Sequence, residues 1–175
     1  MRLLILGRDG VINRPMADGV RRPDEWTPLP GSLEALARLQ REGYRVVIAT
    51  AQPGVAGGVP QMETLNRIHV RMIESVRSKG GQVDAVFVCP HSPEAGCQCR
   101  PPRPGLYMEI AERLKINLSS VHVVCATGAE ASAAQAAGAH AVLLGSVATA
   151  RPGALAGFGN LGAFADALIT GQVDR

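Results

Sequence analysis

The sequence predicts an α/β protein in which helices cover both faces of a parallel β-sheet. Short apolar runs, such as residues 3–6 and 45–50, show no alternation with polar residues, which is typical of strands buried on both faces. These runs alternate along the chain with segments of helical periodicity. Right-handed crossovers between such strands give a three-layer, doubly wound sheet. Ligands of such sheets bind beyond the carboxyl ends of the strands, so the loops that follow the strands are the candidate site.

The first half of the chain supplies three strands and two helices. The opening run L-L-I-L breaks into Gly-Arg-Asp-Gly, the pattern of a buried strand that ends in a loop. The first helix places Leu33, Leu36 and Leu39 at helical spacing and stops at Gly43, and we expect Ser32 to cap it. The second helix carries its own apolar stripe and ends at a glycine pair. The predicted elements are strands at 3–6, 45–50 and 84–88 and helices at 32–42 and 61–79.

The second half supplies two further strands and three further helices. Pro104 suits the first turn of the third helix, because proline lacks the amide hydrogen that is unpaired there anyway. An alanine-rich helix closes at Gly138, and Asn160 is expected to cap the last helix. The glycine-rich residues 149–159 are predicted to form a loop. The predicted elements are strands at 121–125 and 141–144 and helices at 105–114, 129–137 and 161–169.

Composition limits the class of protein. A chain of 175 residues with 46% hydrophobic content fits one globular domain, 1–175. The net charge of +3 is spread along the chain, which gives no reason to expect nucleic-acid binding. Apolar runs fall short of the ~20 residues of a membrane helix, and Met1 and Arg2 lead directly into the first strand, without a signal peptide. We therefore expect a cytoplasmic protein without membrane contact.

A cluster of metal-ligand side chains lies between the third strand and the third helix. Cys89, His91, Cys97 and Cys99 form the pattern C-P-H-x5-C-x-C in a loop at 89–104. Three thiolates and one imidazole are a suitable set for tetrahedral zinc, and four protein ligands leave no position for water, so the zinc is expected to be structural. The fourth cysteine, Cys125, is expected to be a buried strand residue rather than a ligand.

Several motifs together resemble one family. The G-R-D-G-V of residues 7–11 resembles the D-x-D-G-[TV] signature of haloacid-dehalogenase-like (HAD) phosphatases. The zinc loop, D-E-W-x-P-L-P-G-S-L at 24–33, T-A-Q-P-G-V-A-G-G at 50–58 and C-R-P-P-R-P-G-L at 99–106 are similar to the branch that contains the D-glycero-D-manno-heptose-1,7-bisphosphate 7-phosphatases and the histidinol-phosphate phosphatase domain. The resemblance covers about residues 1–145 and implies a HAD-like fold without a large cap domain.

The resemblance implies that part of a phosphatase site is retained. Asp9 falls at the general acid/base position and is expected to be vestigial. Thr50 and Gln52 fall in the loop that contacts the phosphoryl group, and Arg100 aligns with an arginine that faces the sugar phosphate. Each has an equally plausible structural role: Asp9 as a loop-capping carboxylate, Thr50 as a strand residue and Arg100 as a solvated surface residue.

The resemblance also implies that three charged groups are missing. The nucleophilic aspartate falls at Gly7, the phosphate-neutralising lysine at Pro101 and an acidic magnesium ligand at Ala126, with Glu130 at the second acidic position of that motif. Without the first carboxylate no aspartyl-phosphate can form, and too few oxygens are left for magnesium to bind tightly. When catalytic groups act as a unit, the loss of one of them typically lowers the rate by about 10⁴–10⁶-fold.

Three hypotheses follow. The chain is a zinc-containing pseudo-phosphatase that has lost hydrolysis and binds a sugar phosphate or phosphate ion. Alternatively, it is an active magnesium-dependent phosphatase on heptose 1,7-bisphosphate, a precursor of lipopolysaccharide heptose. In the third hypothesis it is an interaction or regulatory subunit whose cleft, apolar around Pro101 and Ala126, takes an unidentified protein partner. The first is favoured because the zinc ligands are intact while the catalytic charges are gone.

Overall fold

The computed structural model describes residues 2–145 and 156–173. It contains a six-stranded, fully parallel sheet in the order β3-β2-β1-β4-β5-β6, with helices in the connections. The predicted fold class is confirmed. The strands are β1 (Arg2–Leu6), β2 (Tyr44–Ala51), β3 (Ala85–Cys89), β4 (His122–Cys125), β5 (His140–Leu144) and β6 (Ala156–Phe158). The helices are α1 (Ser32–Arg41), α2 (Met62–Ser78), α3 (Gly105–Leu114), α4 (Gly128–Ala136) and α5 (Leu161–Ile169).

The sheet divides the hydrophobic core into two layers. Alternate residues of β1 point to opposite faces, so that Leu4 and Leu6 pack in one layer and Leu3 and Ile5 in the other. The first layer is completed by buried side chains of α1, α2 and α5, and the second by those of α3 and α4. Because both faces are covered, the strands are apolar throughout, as the sequence pattern indicated.

The register of the sheet brings the candidate loops together. β1 lies between β2 and β4, and its last residue, Leu6, pairs with Ile48 on one side and Val124 on the other. All three strands run in the same direction, so the loops that follow them leave the same edge of the sheet. The backbone N–H of Gly7 donates to the carbonyl oxygen of Val124 at 2.8 Å, which fastens the first loop to the end of β4.

Two local predictions were wrong. Ser32 is the first residue of α1 rather than its cap; its hydroxyl donates to the carbonyl oxygens of Ile12 and Leu29, and Gly31 with a φ of 76° occupies the cap position. The predicted loop at 149–159 contains β6, a three-residue edge strand too short to give a periodic signal. The part of that predicted loop at 149–155 lies outside the described residues. Asn160 caps α5 as predicted, accepting from the N–H of Ala163 at 2.9 Å.

The described residues contain no helix that is both long and apolar enough to cross a membrane. The single domain over 1–175 stays a prediction.

Leu4→Ala tests the importance of β1 to the core. Leu4 is fully buried on the central strand, so truncation removes apolar contacts and leaves a cavity, and we expect the free energy of unfolding to fall by about 3 kcal/mol. Urea unfolding measures this. Met108→Ala is the control, because Met108 is exposed on α3 and its truncation is expected to cost less than about 0.5 kcal/mol. Equal losses in the two variants would contradict the assignment of the core.

Candidate functional site

The loops after β1 and β4 are in direct contact at the carboxyl edge of the sheet. Gly10 has a φ of 80°, in the left-handed region that favours glycine. A side chain on Gly10 would also place its Cβ only 2.6 Å from the Cβ of Ala126. The close approach of the two loops therefore requires glycine at position 10.

Asp9 is held by several hydrogen bonds. Its Oδ1 accepts from Nη2 of Arg8 at 3.0 Å and from Nδ2 of Asn13 at 2.9 Å. Its Oδ2 accepts from Nε2 of Gln52 at 2.8 Å and lies 3.0 Å from the same Arg8 nitrogen. Both carboxylate oxygens are thus engaged by protein donors from three different positions. This geometry agrees with the structural alternative, a carboxylate that organises the loop.

Arg8 is a part of the site that the sequence did not reveal. Its side chain is fully buried, and its Nη1 donates to Nε2 of His69 on α2 at 3.1 Å. Burial and, to a smaller extent, the positive charge of Arg8 lower the pKa of His69 to about 4. The negative charge of Asp9 acts in the opposite direction. The position of His69 on a helix, far from Arg8 in sequence, gave no signal of this contact.

Thr50 and Gln52 lie together at the end of β2. Both are buried, and Nε2 of Gln52 donates to the hydroxyl oxygen of Thr50 at 2.8 Å as well as to Asp9. The backbone N–H of Gln52 donates to the carbonyl oxygen of Cys89 at 2.8 Å. This hydrogen bond joins the loop after β2 to the start of residues 89–104, which we call the metal-binding loop. Gln52 therefore connects three of the predicted site positions.

Glu130 lies in the first turn of α4, where it forms a capping box with Thr127. Its Oε2 accepts from the backbone N–H groups of Ala126 and Thr127 at 3.1 and 3.0 Å, and from the Thr127 hydroxyl at 3.0 Å. Burial raises the pKa of Glu130, against the opposing effect of these hydrogen bonds. Its Oε1 lies 3.8 Å from the point that a Cβ on Gly7 would occupy. Gly7 and Ala126 themselves have no polar side chain.

The four predicted zinc ligands come together and can hold a metal ion. The ligand atoms of Cys89, His91, Cys97 and Cys99 all lie within 4.8 Å of one another. The Sγ atoms of Cys89 and Cys97 are 3.7 Å apart, and Nδ1 of His91 is 3.7 Å from Sγ of Cys89 and 3.2 Å from Sγ of Cys99. Sγ of Cys99 lies 3.0 Å from Sγ of Cys89. Tetrahedral zinc with its ordinary bond lengths separates two thiolates by about 3.8 Å, so the donor set and the Cys89–Cys97 distance fit that ion, whereas Cys89 and Cys99 must move apart to hold it.

The thiols of this cluster differ in their tendency to ionise. Burial opposes ionisation of Cys97, but hydrogen bonds, above all from the backbone N–H of Arg100, outweigh it and lower the pKa of that thiol. Burial and contacts with the neighbouring thiols raise the pKa of Cys99 to about 12. Crowded thiols of this kind give up their protons when a metal ion supplies the compensating charge. Cys125, as predicted, is buried and outside the cluster.

Two cavities border the site. One of about 330 Å³ lies beside the metal-binding loop, and Arg100, Pro101 and Arg103 are among its lining residues. Nη1 of Arg100 is buried there without a hydrogen-bond partner. The other, of about 630 Å³, lies at the carboxyl edge of the sheet, with Gly10, Ala126 and Asn160 among its lining residues.

The sheet order, the loop positions and the compact helical layers are those of the HAD-like α/β class. No protein-family model matches the chain. It is 49% identical over 124 residues to the D-glycero-β-D-manno-heptose-1,7-bisphosphate 7-phosphatase of Bordetella bronchiseptica, an alignment that covers 71% of this chain and 69% of the relative. The corresponding protein of Pseudomonas putida is 42% identical over 144 residues, which is 82% of each chain.

A solved structure agrees with these relatives. The crystal structure of D,D-heptose 1,7-bisphosphate phosphatase from B. bronchiseptica, complexed with magnesium and phosphate, superposes with a TM-score of 0.93 at 40% identity and covers 98% of this chain and 99% of that one. The chain belongs to the D-glycero-D-manno-heptose-1,7-bisphosphate 7-phosphatase family of the HAD superfamily.

The burial of His69 beside Arg8 predicts a pH-dependent stability. The folded protein keeps His69 neutral down to about pH 4, whereas the unfolded chain protonates it below about pH 6.5, so stability is lost as the pH falls through this interval. The full loss is about 3 kcal/mol. Urea unfolding of the wild type and His69→Gln between pH 7 and pH 4 measures it, and the variant should lose that much less. His140→Gln is the control; identical pH profiles for wild type and His69→Gln would contradict the assignment.

Proposed function

We propose that the chain is a zinc-containing pseudo-phosphatase of its family that has lost hydrolysis and binds a phosphate ion or a sugar phosphate. The observation that carries the proposal is the absence of a carboxylate at both Gly7 and Ala126, while the two neighbouring acids are engaged by protein donors. The resemblance assigns the nucleophile and a magnesium ligand to these two positions. The side chains that catalysis needs are therefore missing where the motif requires them.

The first support for the proposal is the missing nucleophile. Glycine has no group that can attack phosphorus, and an aspartyl-phosphate cannot form at position 7. Asp9 is a poor substitute, since both of its oxygens accept hydrogen bonds from Arg8, Asn13 or Gln52. An attack by Asp9 would have to break these bonds and expose the buried Arg8 guanidinium without its partner, which is costly.

Magnesium, which the fold family implies, does not fit the residues present. The ion prefers near-octahedral coordination by several oxygens, usually including one or two carboxylates. Gly7 and Ala126 offer no side-chain oxygen, and Glu130 uses Oε2 to hold the turn before α4. Both oxygens of Asp9 have protein partners, so Oε1 of Glu130 is the one carboxylate oxygen of these two acids without a hydrogen bond among the described residues, and a single oxygen is too few for the ion. We therefore propose that tight magnesium binding has been lost together with the nucleophile.

The third missing charge is a lysine, since the chain has proline at position 101. The resemblance places a lysine there, which would neutralise the nucleophile and the phosphoryl group. With one lysine and two carboxylates of the motif missing, the differences in charge lie in three separate loops. Asp9 and Glu130, the acids that remain, both accept hydrogen bonds from protein donors.

Binding of an anion has support of its own. The hydroxyl of Thr50 lies at the end of β2, where the resemblance places a phosphoryl contact, and Gln52 holds that hydroxyl by donating to it. Arg100 has a buried nitrogen without a hydrogen-bond partner beside the cavity at the metal-binding loop. The names of the relatives identify heptose 1,7-bisphosphate as their substrate, so a sugar phosphate is the class of ligand we propose here.

Zinc is the metal that we propose for the cluster of three cysteines and one histidine. Four protein ligands complete a tetrahedral shell, so the ion would hold the loop rather than activate water. A role in folding explains why these ligands persist when the catalytic charges do not. A protein-binding role for the chain stays a prediction, to be tested by co-purification.

The activity test compares four proteins on heptose 1,7-bisphosphate and a panel of sugar phosphates with magnesium. The wild type is expected to release no phosphate above background, because the nucleophile and the metal ligands are absent. The triple variant Gly7→Asp/Pro101→Lys/Ala126→Asp restores these groups. A Cβ at position 7 lies 3.2 Å from Cγ2 of Val11, which must shift slightly, and 3.8 Å from Oε1 of Glu130, which would repel a second carboxylate. The same variant with Glu130→Asp, which shortens that acid, is therefore tested beside it. Turnover by either variant but not by the wild type supports the proposal.

The fourth protein is Asp9→Asn. Magnesium-dependent phosphate release by the wild type that disappears in Asp9→Asn would contradict the proposal and establish the active-enzyme alternative. Zinc content and thermal unfolding of every variant confirm that a silent protein is folded.

The metal is tested by elemental analysis of the purified chain. We expect about one zinc per chain, and Cys97→Ser is expected to lower the zinc content and the thermal unfolding temperature because it removes one of four ligands. Cys125→Ser is the control, since Cys125 lies outside the cluster. A metal-free wild type with unchanged stability after chelation would contradict the zinc proposal.

A further inference from the structure

The metal-binding loop lies at the surface and is fastened from outside by one arginine. Nη1 of Arg103 donates to the carbonyl oxygen of Cys97 at 2.8 Å and also to that of Gly96. Arg103 itself is exposed, as is His91, and Cys97 and Cys99 are only half-buried. Cys97 and Cys99 pack against the edge of the second core layer, so the outer part of the loop depends on hydrogen bonds as well as on burial.

Two backbone hydrogen bonds within residues 98–105 fix the segment that carries Arg103. The N–H of Arg103 donates to the carbonyl oxygen of Arg100 at 3.0 Å, and the N–H of Gly105 donates to that of Gln98 at 2.9 Å. Gly105 lies so close that an added Cβ would be 2.4 Å from the Gln98 oxygen. The segment between the last cysteine and α3 thus folds back on the loop, and Arg103 ends the turn that begins at Arg100.

We infer that Arg103 is a positioning residue for the metal-binding loop, which holds the backbone of Cys97 in the conformation that coordinates the ion. Three thiolates around a divalent zinc ion leave a net charge of −1, and a guanidinium beside the loop offsets it. The inference rests on the proposed zinc site. Neither the motif of ligands nor their spacing indicates this residue, because it lies outside the C-P-H-x5-C-x-C pattern.

The effect of Arg103 is measured on zinc affinity. Residues that support metal ligands without touching the ion typically contribute about 10–100-fold in affinity. Because Arg103 is exposed, we expect Arg103→Ala to weaken zinc binding by about 10-fold, the lower end of that range. Arg103→Lys keeps a charged donor and is expected to lose less. Competition between the zinc-loaded full chain and a chromogenic chelator of known affinity measures all of these values.

The controls separate positioning of the loop from general stability. Arg113→Ala removes an exposed arginine of α3 that pairs with Glu109, and it should leave zinc affinity unchanged. Thermal unfolding of the metal-free proteins should be the same for Arg103→Ala and the wild type, since the contact acts on the loop that the ion completes.

Two results would overturn the inference. If the wild type binds zinc at the cluster and Arg103→Ala binds it equally well, Arg103 has no positioning role while the zinc proposal stands. If Arg103→Ala lowers metal-free stability and Arg103→Lys restores neither stability nor affinity, the arginine acts on the fold in general. A wild type that binds no zinc would overturn both proposals together.

Discussion

Burial of the Arg8 guanidinium constrains the whole carboxyl edge of the sheet. A charge taken out of water needs partners, and Arg8 finds Asp9 in its own loop and His69 on α2, while its Nε is buried without a hydrogen-bond partner in the described part of the chain. Asp9 in turn accepts from Asn13 and from Gln52, so the loops after β1 and β2 are joined through one carboxylate. Removal of Asp9 would leave a buried charge without its counter-ion.

If hydrolysis has been lost as proposed, this constraint explains how an acid persists at a catalytic position. The position of Asp9 in the motif suggests an acid/base, and its contacts give it a structural reason to stay. Glu130 is similar, because its carboxylate holds the turn that starts α4. Gly7 and Ala126, where the resemblance places two further carboxylates, have no polar side chain. We propose that retention at this edge follows structural need, and that the metal-binding loop is retained for the same reason.

The sequence predicts some parts of this structure well, for physical reasons that particular residues illustrate. Apolar runs that are buried on both faces need no alternation, so the five longer strands were visible, whereas β6 has only three residues and gave no signal. The four metal ligands lie within eleven residues, so local spacing revealed them. The contact of Arg8 with His69 joins positions 61 apart in sequence, so local spacing does not reveal it. The hydrogen bonds of Arg103 are made to backbone carbonyl groups, which every residue has, so the sequence gives no sign of them. The start of α1 was misjudged because a serine beside a glycine fits two roles, and tertiary contacts with Ile12 and Leu29 decided between them.

We propose that this site no longer uses magnesium. Thermal unfolding of the wild type with inorganic phosphate, in the presence and absence of magnesium, tests this, because a ligand that binds only the folded state raises the unfolding temperature. We expect any stabilisation by phosphate to be the same with and without magnesium. Stabilisation that requires magnesium and phosphate together would show that the residues at this edge still form a metal site, and that magnesium binding has not been lost.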